Sequence, residues 1–199
     1  WTVRVAIATA LGGLPSQMGV PPLTLMLQDR DSRVIPAVLN ALIAAKAGGM
    51  DKVLIDRLKS DDFVLRAAAA NGLSEIKATD AVQPLIEAYR ASAGRDVTYV
   101  ARAAALSALA KLDAAPARRV LLEALMDRDW AVRVRARDLL REQGVPDVDE
   151  QMRPAVTGEP VDSAEWQAIV SPKYSPRALI DTDKGTVEIE LAVLDAPLT

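Results

Sequence analysis

The side chains that could do chemistry in this chain are carboxylates and arginines, because its 199 residues include neither cysteine nor histidine. The absence of cysteine excludes disulfides, a thiolate nucleophile and a sulfur-ligated zinc site. The absence of histidine removes the commonest general base near neutral pH and the commonest metal ligand. We therefore predict no catalytic residue, no metal site and no cofactor in these residues.

Three arginines, Arg66, Arg102 and Arg133, recur near the start of alanine-rich segments that follow acidic turns. An arginine in this position can lay its stem over the preceding unit and bond an aspartate of a neighbouring turn. We predict this structural role for all three. Large aromatic residues recur in the same register, and we predict that they pack between units. They are Trp1, Phe63, Tyr99 and Trp130, with Ser32 where the aromatic is missing.

A cluster of seven arginines lies between residues 118 and 141, and such clusters can attract the phosphates of a nucleic acid. However, five acidic residues are interleaved with them, and the whole chain has a net charge of −3. Alternating charges are typical of a solvated helix face with i,i+4 pairs. Nucleic-acid binding is therefore kept as the alternative function. The arginines are Arg118, Arg119, Arg128, Arg133, Arg135, Arg137 and Arg141.

The elements that hold these side chains are marked by leucines at a nearly fixed spacing. A period of about thirty residues indicates a stacked repeat, and the abundance of alanine and leucine favours helices. We predict an all-α fold, an α-solenoid of helix pairs with a period of about 31 residues. One set of leucines, at intervals of 31, 31, 36 and 31, is Leu11, Leu42, Leu73, Leu109 and Leu140. A second set in the same register is Leu23, Leu54, Leu85 and Leu121.

Local signals divide each unit into two helices joined by an acidic turn whose Asp and Ser residues can cap the second helix. Glycines at 12–13, 48–49 and 144 mark helix ends. Pro36 predicts a kink or a late helix start in its unit. The five extra residues of the third unit, 91–95, are predicted to lie between helices, where an insertion costs least. The second helices are predicted at 64–73, 100–112 and 132–140.

Asp127, Val132, Arg133 and Ala136 form the fullest copy of a recurring pattern, Asp-x-x-x-x-Val-Arg-x-x-Ala. The copy that begins at Asp29 departs from the pattern, with isoleucine in place of the arginine. The pattern resembles the short HEAT-like repeats, over residues 1–143. That resemblance implies a solenoid that offers a broad surface to protein or peptide clients. Partial copies are Leu65, Arg66 and Ala69; Asp96, Arg102 and Ala105; and Val3 with Arg4.

A competing interpretation is that the repeats are themselves enzymatic, as in a DNA-base glycosylase or a lyase that attaches bilins. A glycosylase would need a carboxylate beside aromatic residues on the concave face. The candidate pairs are Asp62 with Phe63 and Asp129 with Trp130. Both pairs lie at predicted helix starts, so capping and packing also account for them.

The repeat register ends after residue 143, and the composition changes there. Residues 1–143 hold 20 Lys/Arg and 16 Asp/Glu, whereas residues 144–199 hold 4 and 11. Residues 144–176 contain five prolines and little periodic hydrophobicity, so we predict an acidic, Pro-rich linker with a short helix from Ser163 to Val170. Trp166 and Tyr174 are the predicted interaction residues of this linker.

Residues 177–199 have a different period. Two short apolar segments, 177–182 and 186–191, flank Asp183-Lys184-Gly185, which predicts a β-hairpin. The run from Ala178 to Leu191, followed by Ala196-Pro197-Leu198-Thr199, resembles the start of a cyclophilin-type peptidyl-prolyl isomerase of the bacterial type. Because an isolated hairpin is marginally stable, we expect residues 177–199 to pack on the solenoid or to pair with another molecule.

The cyclophilin resemblance implies an eight-stranded barrel that rotates X-Pro bonds, with a catalytic Arg, a proline pocket and backbone-binding Gln and Asn residues. All of these would follow Thr199, and Arg177 does not match the catalytic position. We therefore expect an inactive fragment of a parent isomerase, with residues 1–143 as its interaction scaffold and the second helices lining a concave platform. Since the chain begins at Trp1 in mid-repeat, we expect the true N-terminus upstream, which leaves the compartment open. No apolar run is long enough to span a membrane.

Overall fold

The structure is a computed structural model that describes residues 1–154 and 177–190. It forms two compact units, Trp1–Pro154 and Ala155–Thr199. The helices of the first unit are α1 Thr2–Gly12, α2 Ser16–Met26, α3 Ile35–Ala44, α4 Met50–Arg57, α5 Phe63–Glu75, α6 Val82–Arg95, α7 Val100–Leu112, α8 Ala114–Ala124, α9 Trp130–Glu142 and α10 Val148–Gln151, with a 3₁₀ turn at Thr79–Ala81. The strands of the second unit are β1 Arg177–Thr182 and β2 Gly185–Glu190.

The two leucine sets correspond to two layers of helices. The first set lies on the odd-numbered helices α1 to α9, and the second set lies on the even-numbered helices α2 to α8. Eight of these nine leucines are at most 1% exposed, and Leu11 is half-buried against the same core. The prediction of an all-α solenoid of helix pairs is thereby confirmed.

The odd-numbered helices pack successively against one another, α1 on α3, α3 on α5, α5 on α7 and α7 on α9. Neighbouring even-numbered helices make marginal contacts at most. The odd-numbered helices are therefore the more closely packed layer of this unit. These are the second helices of each predicted pair.

Small residues allow this close packing of the odd-numbered helices. Ala69, Ala70 and Ala105 are almost fully buried on α5 and α7. Gly72 on α5 is the closest approach, because a Cβ at this position would lie 2.8 Å from the Ile43 side chain of α3. The alanine-rich second helices are therefore required by the packing as well as favoured by helix propensity.

Aspartates of the acidic turns cap α5 and α9, whereas α3 and α7 begin without a side-chain cap. The Asp62 carboxylate accepts hydrogen bonds from the backbone N–H groups of Val64 and Leu65, and Asp129 accepts one from Ala131. In the Pro36 unit the helix begins at Ile35, without a side-chain cap. That is three residues later than the 31-residue register predicts from Phe63. The predicted late start is confirmed, and Pro36 stands at the second helical position, in the first turn where a missing N–H costs least.

The position predicted for the five-residue insertion was wrong. Residues 91–95 belong to the last turns of α6, which is 14 residues long where its counterpart α4 has 8. The inserted sequence, Ala-Ser-Ala-Gly-Arg, contains no proline, so it continues the helix instead of forming a loop. The longer helix carries Asp96 to the position from which it contacts the neighbouring unit.

The solenoid unit extends past residue 143, where a linker was predicted to begin. Val148 on α10 is 2% exposed, and Val145 and Met152 pack against the same core. The Arg153 N–H donates a hydrogen bond to the Leu125 carbonyl at 3.0 Å, and the Arg141 guanidinium pairs with Asp149. Three apolar side chains at the helical spacing i, i+3 and i+7 thus anchor a stretch that lies beyond the last copy of the leucine repeat. The rest of the predicted linker, including the helix from Ser163 to Val170, lies outside the described residues.

The hairpin has the predicted antiparallel pairing. Arg177 is paired with Glu190 and Thr182 with Gly185, which lies at φ +127° in the tight turn. All described residues of the two strands are exposed except Ala178, which is half-buried. Apolar side chains such as Leu179 and Val187 therefore remain 66% and 49% exposed.

Candidate functional site

The recurring arginines connect each unit to the next through ion pairs. Arg66 on α5 is 2% exposed, and its Nη2 atom pairs with both carboxylate oxygens of Asp96, thirty residues ahead. Its Nη1 atom donates to the backbone carbonyls of Ser60 and Asp61, at 2.5 and 3.0 Å. One side chain thus ties the acidic turn before its own helix to the turn of the following unit.

Arg102 on α7 repeats this connection with different partners. Its Nη1 atom lies 3.2 Å from Asp127, and its Nη2 atom lies 3.4 Å from Asp129. The buried Tyr89 hydroxyl donates to Asp127 at 3.3 Å, and burial, followed by the charge of Asp127, raises the pKa of Tyr89 above its ordinary value. The Asp127 carboxylate is therefore shared by two units.

Arg4 occupies the same register position on α1 and pairs with Asp29 at 2.7 Å. The backbone N–H of Asp31 donates to the Asp29 carboxylate at 2.9 Å and is the main reason why the pKa of Asp29 is lowered. In the next unit Ile35 replaces the arginine and is buried in the apolar core. The series of ion pairs is interrupted there, as the sequence predicted.

Arg133 on α9 is the last arginine of the register and is 3% exposed. Its Nη1 atom donates to the carbonyls of Asp127 and Arg128, at 2.6 and 3.1 Å, and its guanidinium lies 5.2 Å from the centre of the Trp130 ring. Its neighbours in the repeat pattern, Val132 and Ala136, are fully buried in the core.

A shallow apolar groove lies on the odd-numbered layer between α7 and α9, with a volume of about 390 Å³. Two aromatic side chains, Tyr99 and Trp130, line it, and each is 47% exposed. Ala103, Ala131 and Val134 line it as well. Arg135 and Asp138 also line the groove, so an apolar surface lies next to charges of both signs. We refer to this feature as the α7–α9 groove.

The exposure of these aromatics differs from the packing role predicted for them. Tyr99 and Trp130 stand beside the first residues of successive second helices, and Trp1 is 49% exposed with Arg33 over its ring. Only Phe63 is half-buried. The regular register of the aromatics gives their position within each unit. It does not say whether they are buried or exposed.

The arginine cluster from 118 to 141 is largely engaged in contacts within the solenoid. Arg135 donates to Ser107 at 2.9 Å, and Arg137 pairs with Asp138 at 2.8 Å. Arg128 donates to the Asp96 carbonyl, and Arg118 to the Gln143 carbonyl at 3.5 Å. Such contacts reduce the number of guanidinium groups available to phosphates. Nucleic-acid binding stays a prediction.

The carboxylates considered for catalysis have partners of their own. Asp62 caps α5, and Asp129 caps α9 while it pairs with Arg102. Within the described parts of the chain, no group of three or more metal-binding side chains is assembled. Trp166 and Tyr174 lie outside the described residues. Across the helices that the structure describes, none has the length and apolar character needed to cross a bilayer.

The match to a known family falls on the helix pair at the centre of this unit. Residues 65–90 match the PBS lyase HEAT-like repeat. The matched stretch contains most of α5, including Arg66, and the first part of α6. The chain therefore carries a HEAT-like repeat, a kind of repeat that commonly forms protein-interaction scaffolds. No curated protein matches the chain.

Proposed function

We propose that the HEAT-like solenoid binds protein or peptide segments on its concave face, with the α7–α9 groove as the primary contact. The observation that carries this proposal is the pair of half-exposed aromatics, Tyr99 and Trp130, on either side of an apolar surface. Tyrosine and tryptophan are enriched at the centres of protein interfaces, because they bury a large area at a small entropic cost.

The chemistry of the groove favours an extended segment with one apolar side chain. A volume of about 390 Å³ is enough for a residue such as proline or leucine together with its neighbours, but not for a folded domain. Arg135 and Asp138 offer polar contacts on one side of the groove and fix the orientation of a bound segment. The backbone N–H and C=O groups of such a segment would remain in contact with water.

Replacement of Ala103 by arginine should weaken peptide binding about tenfold, because the long side chain fills the groove between the two aromatics. Binding is measured by fluorescence anisotropy with a fixed library of fluorescein-labelled twelve-residue peptides. Ala115→Arg is the matched control, since Ala115 is exposed on α8 and the change in charge is the same. Equal binding by the two variants, with unchanged melting temperatures, would contradict the groove as the binding site.

We propose in addition that the solenoid, residues 1–143, precedes a cyclophilin-like isomerase domain of which residues 177–199 are the first hairpin. The support is the resemblance in sequence together with the exposure of Leu179, Ile180, Val187 and Ile189 on both faces of the hairpin. Such side chains are normally covered by further strands of a barrel. The solenoid would then raise the local concentration of client segments near the isomerase. Pairing of the open hairpin edges with another molecule stays a prediction.

The 199-residue chain should not accelerate proline isomerisation in a peptide assay, because none of its residues matches the family's catalytic arginine. A polypeptide extended by the coding sequence beyond Thr199 should accelerate it. The same protease-coupled assay measures both, with the uncatalysed rate as the reference. Acceleration by the 199 residues themselves, or none by the extended polypeptide, would contradict the proposal.

A further inference from the structure

Arg133 differs from the other arginines of the register in one of its hydrogen bonds. Arg66 and Arg133 use the Nη1 atom in the same way, since each donates to the carbonyls six and five residues before it. The two guanidinium groups therefore have the same placement relative to their own acidic turns. The group bound at Nη2 of Arg66 therefore indicates which kind of group Nη2 of Arg133 can bind.

At Arg66 the Nη2 atom holds both oxygens of the Asp96 carboxylate. Arg4 and Arg102 likewise pair with carboxylates of the following unit, Asp29 and Asp127. Over residues 1–154 and 177–190, by contrast, no carboxylate lies within ion-pair distance of Arg133, and its Nη2 atom has no acceptor. This nitrogen is not among the side-chain atoms sealed from solvent, whereas Nε of the same residue is.

A buried cation with only neutral partners is an incomplete arrangement. Arg133 is only 3% exposed. Among the described residues, two backbone carbonyls and the Trp130 ring stabilise its charge. Removing a charge from water is costly unless an opposite charge compensates for it. A carboxylate that reached Nη2 would supply the missing counter-charge and form the short, charge-assisted bonds seen at Arg66.

We propose that Arg133 is a carboxylate-binding site for an aspartate or glutamate of the bound partner segment. The inference rests on the proposed function, because Trp130 stacks on Arg133 and also lines the α7–α9 groove. Arg133 is not itself one of the groove's lining residues, so the acidic side chain of a bound segment would have to reach past the Trp130 ring to its guanidinium. The recognised sequence is an acidic residue close to an apolar one, in an extended segment.

The test compares two acetylated and amidated peptides, Ala-Pro-Asp-Gly-Pro-Ala and the same sequence with asparagine in place of aspartate. Each is titrated into the ¹⁵N-labelled full chain, and NMR follows the Arg133 Nε–H and the Trp130 indole N–H. We expect the aspartate peptide to bind at least about tenfold more tightly, since charge-assisted bonds are about twice as strong as neutral ones. Arg133→Lys should reduce this preference, because lysine keeps the charge but lacks the planar donor geometry. Arg119→Lys, at an exposed position on α8, should leave it unchanged.

The possible outcomes separate this inference from the proposed function. Equal affinity for the two peptides with shifts at Trp130 would overturn the carboxylate site and leave groove binding intact. A preference for aspartate that is undiminished in Arg133→Lys would also overturn the site. If neither peptide shifts Trp130 or Arg133, both this inference and the groove as the client site are wrong. Thermal melting of Arg133→Lys shows whether the variant is folded when its peptide preference is reduced.

Discussion

Replacement of Asp96 by alanine is expected to lower the free energy of unfolding of the solenoid by about 3–5 kcal/mol. The Arg66 guanidinium is 2% exposed and pairs with both oxygens of this carboxylate, so its removal leaves a buried cation without a counter-charge. The pair also joins α5 to the turn that follows α6, so that two units lose one of their contacts. Urea denaturation followed by far-UV circular dichroism measures the change.

Two further variants separate the cost of the unpaired charge from a general sensitivity of the fold. Asp61→Ala removes a fully exposed carboxylate, 3.5 Å from Arg95, and should leave the unfolding midpoint unchanged. The double variant Arg66→Met with Asp96→Leu should recover most of the lost stability, because an apolar pair needs no counter-charge. A loss below about 1 kcal/mol in Asp96→Ala would show that water reaches Arg66 and compensates its charge.

Replacement of Leu73 by alanine is expected to destabilise the same unit by about 2–5 kcal/mol. Leu73 is 0% exposed on α5, the helix that packs against both α3 and α7. The truncation removes buried methyl groups and leaves a cavity in a layer where a Cβ at the nearby Gly72 would already lie within 2.8 Å of Ile43. Urea denaturation again provides the measurement.

Leu25→Ala is the matched control, because Leu25 is 79% exposed on α2 and undergoes the same chemical change. It should alter the free energy of unfolding by less than about 0.5 kcal/mol. Equal stability of Leu73→Ala and Leu25→Ala would contradict the view that the buried leucines stabilise the packing of the two layers. Stability in repeat proteins adds up over units and their interfaces, so a central position such as Leu73 tests two interfaces at once.

The ion pairs and the α7–α9 groove are connected through α9. Arg102 pairs with Asp129, which caps α9, and the same helix carries Trp130 and Arg133. The start of α9 is therefore held in place by the preceding unit before any partner binds. Such preorganisation reduces the entropic cost of binding a flexible segment.

Several features of the site could be predicted from the sequence because they depend on local chemistry. The caps at Asp62 and Asp129, the helix end at Gly144 and the late helix start at Pro36 follow from backbone geometry alone. The role of residues 91–95 could not be predicted in this way. Ala-Ser-Ala-Gly-Arg contains no proline and so can continue a helix, but its glycine also suits a loop, and the structure shows that it continues α6 and leads to Asp96, the partner of Arg66.

The position of the end of the solenoid also required the three-dimensional structure. Val145, Val148 and Met152 stand at the helical spacing i, i+3 and i+7, but three apolar residues are too short a pattern to predict that they pack on the core. The exposure of Tyr99 and Trp130 is a similar case. Their register marks where they lie along each unit, but not whether the adjacent helix covers them.

The sequence by itself determined the helical repeat, its two layers and the positions of Arg66, Arg102 and Arg133, because a period of buried leucines and capped turns is a local and repetitive signal. Only the tertiary structure decided which carboxylate each arginine meets, since partners 25 to 30 residues apart are brought together by the stacking of whole units. It also decided that, among residues 1–154 and 177–190, the Nη2 atom of Arg133 meets no acceptor beside Trp130, because burial and accessibility are properties of assembled surfaces.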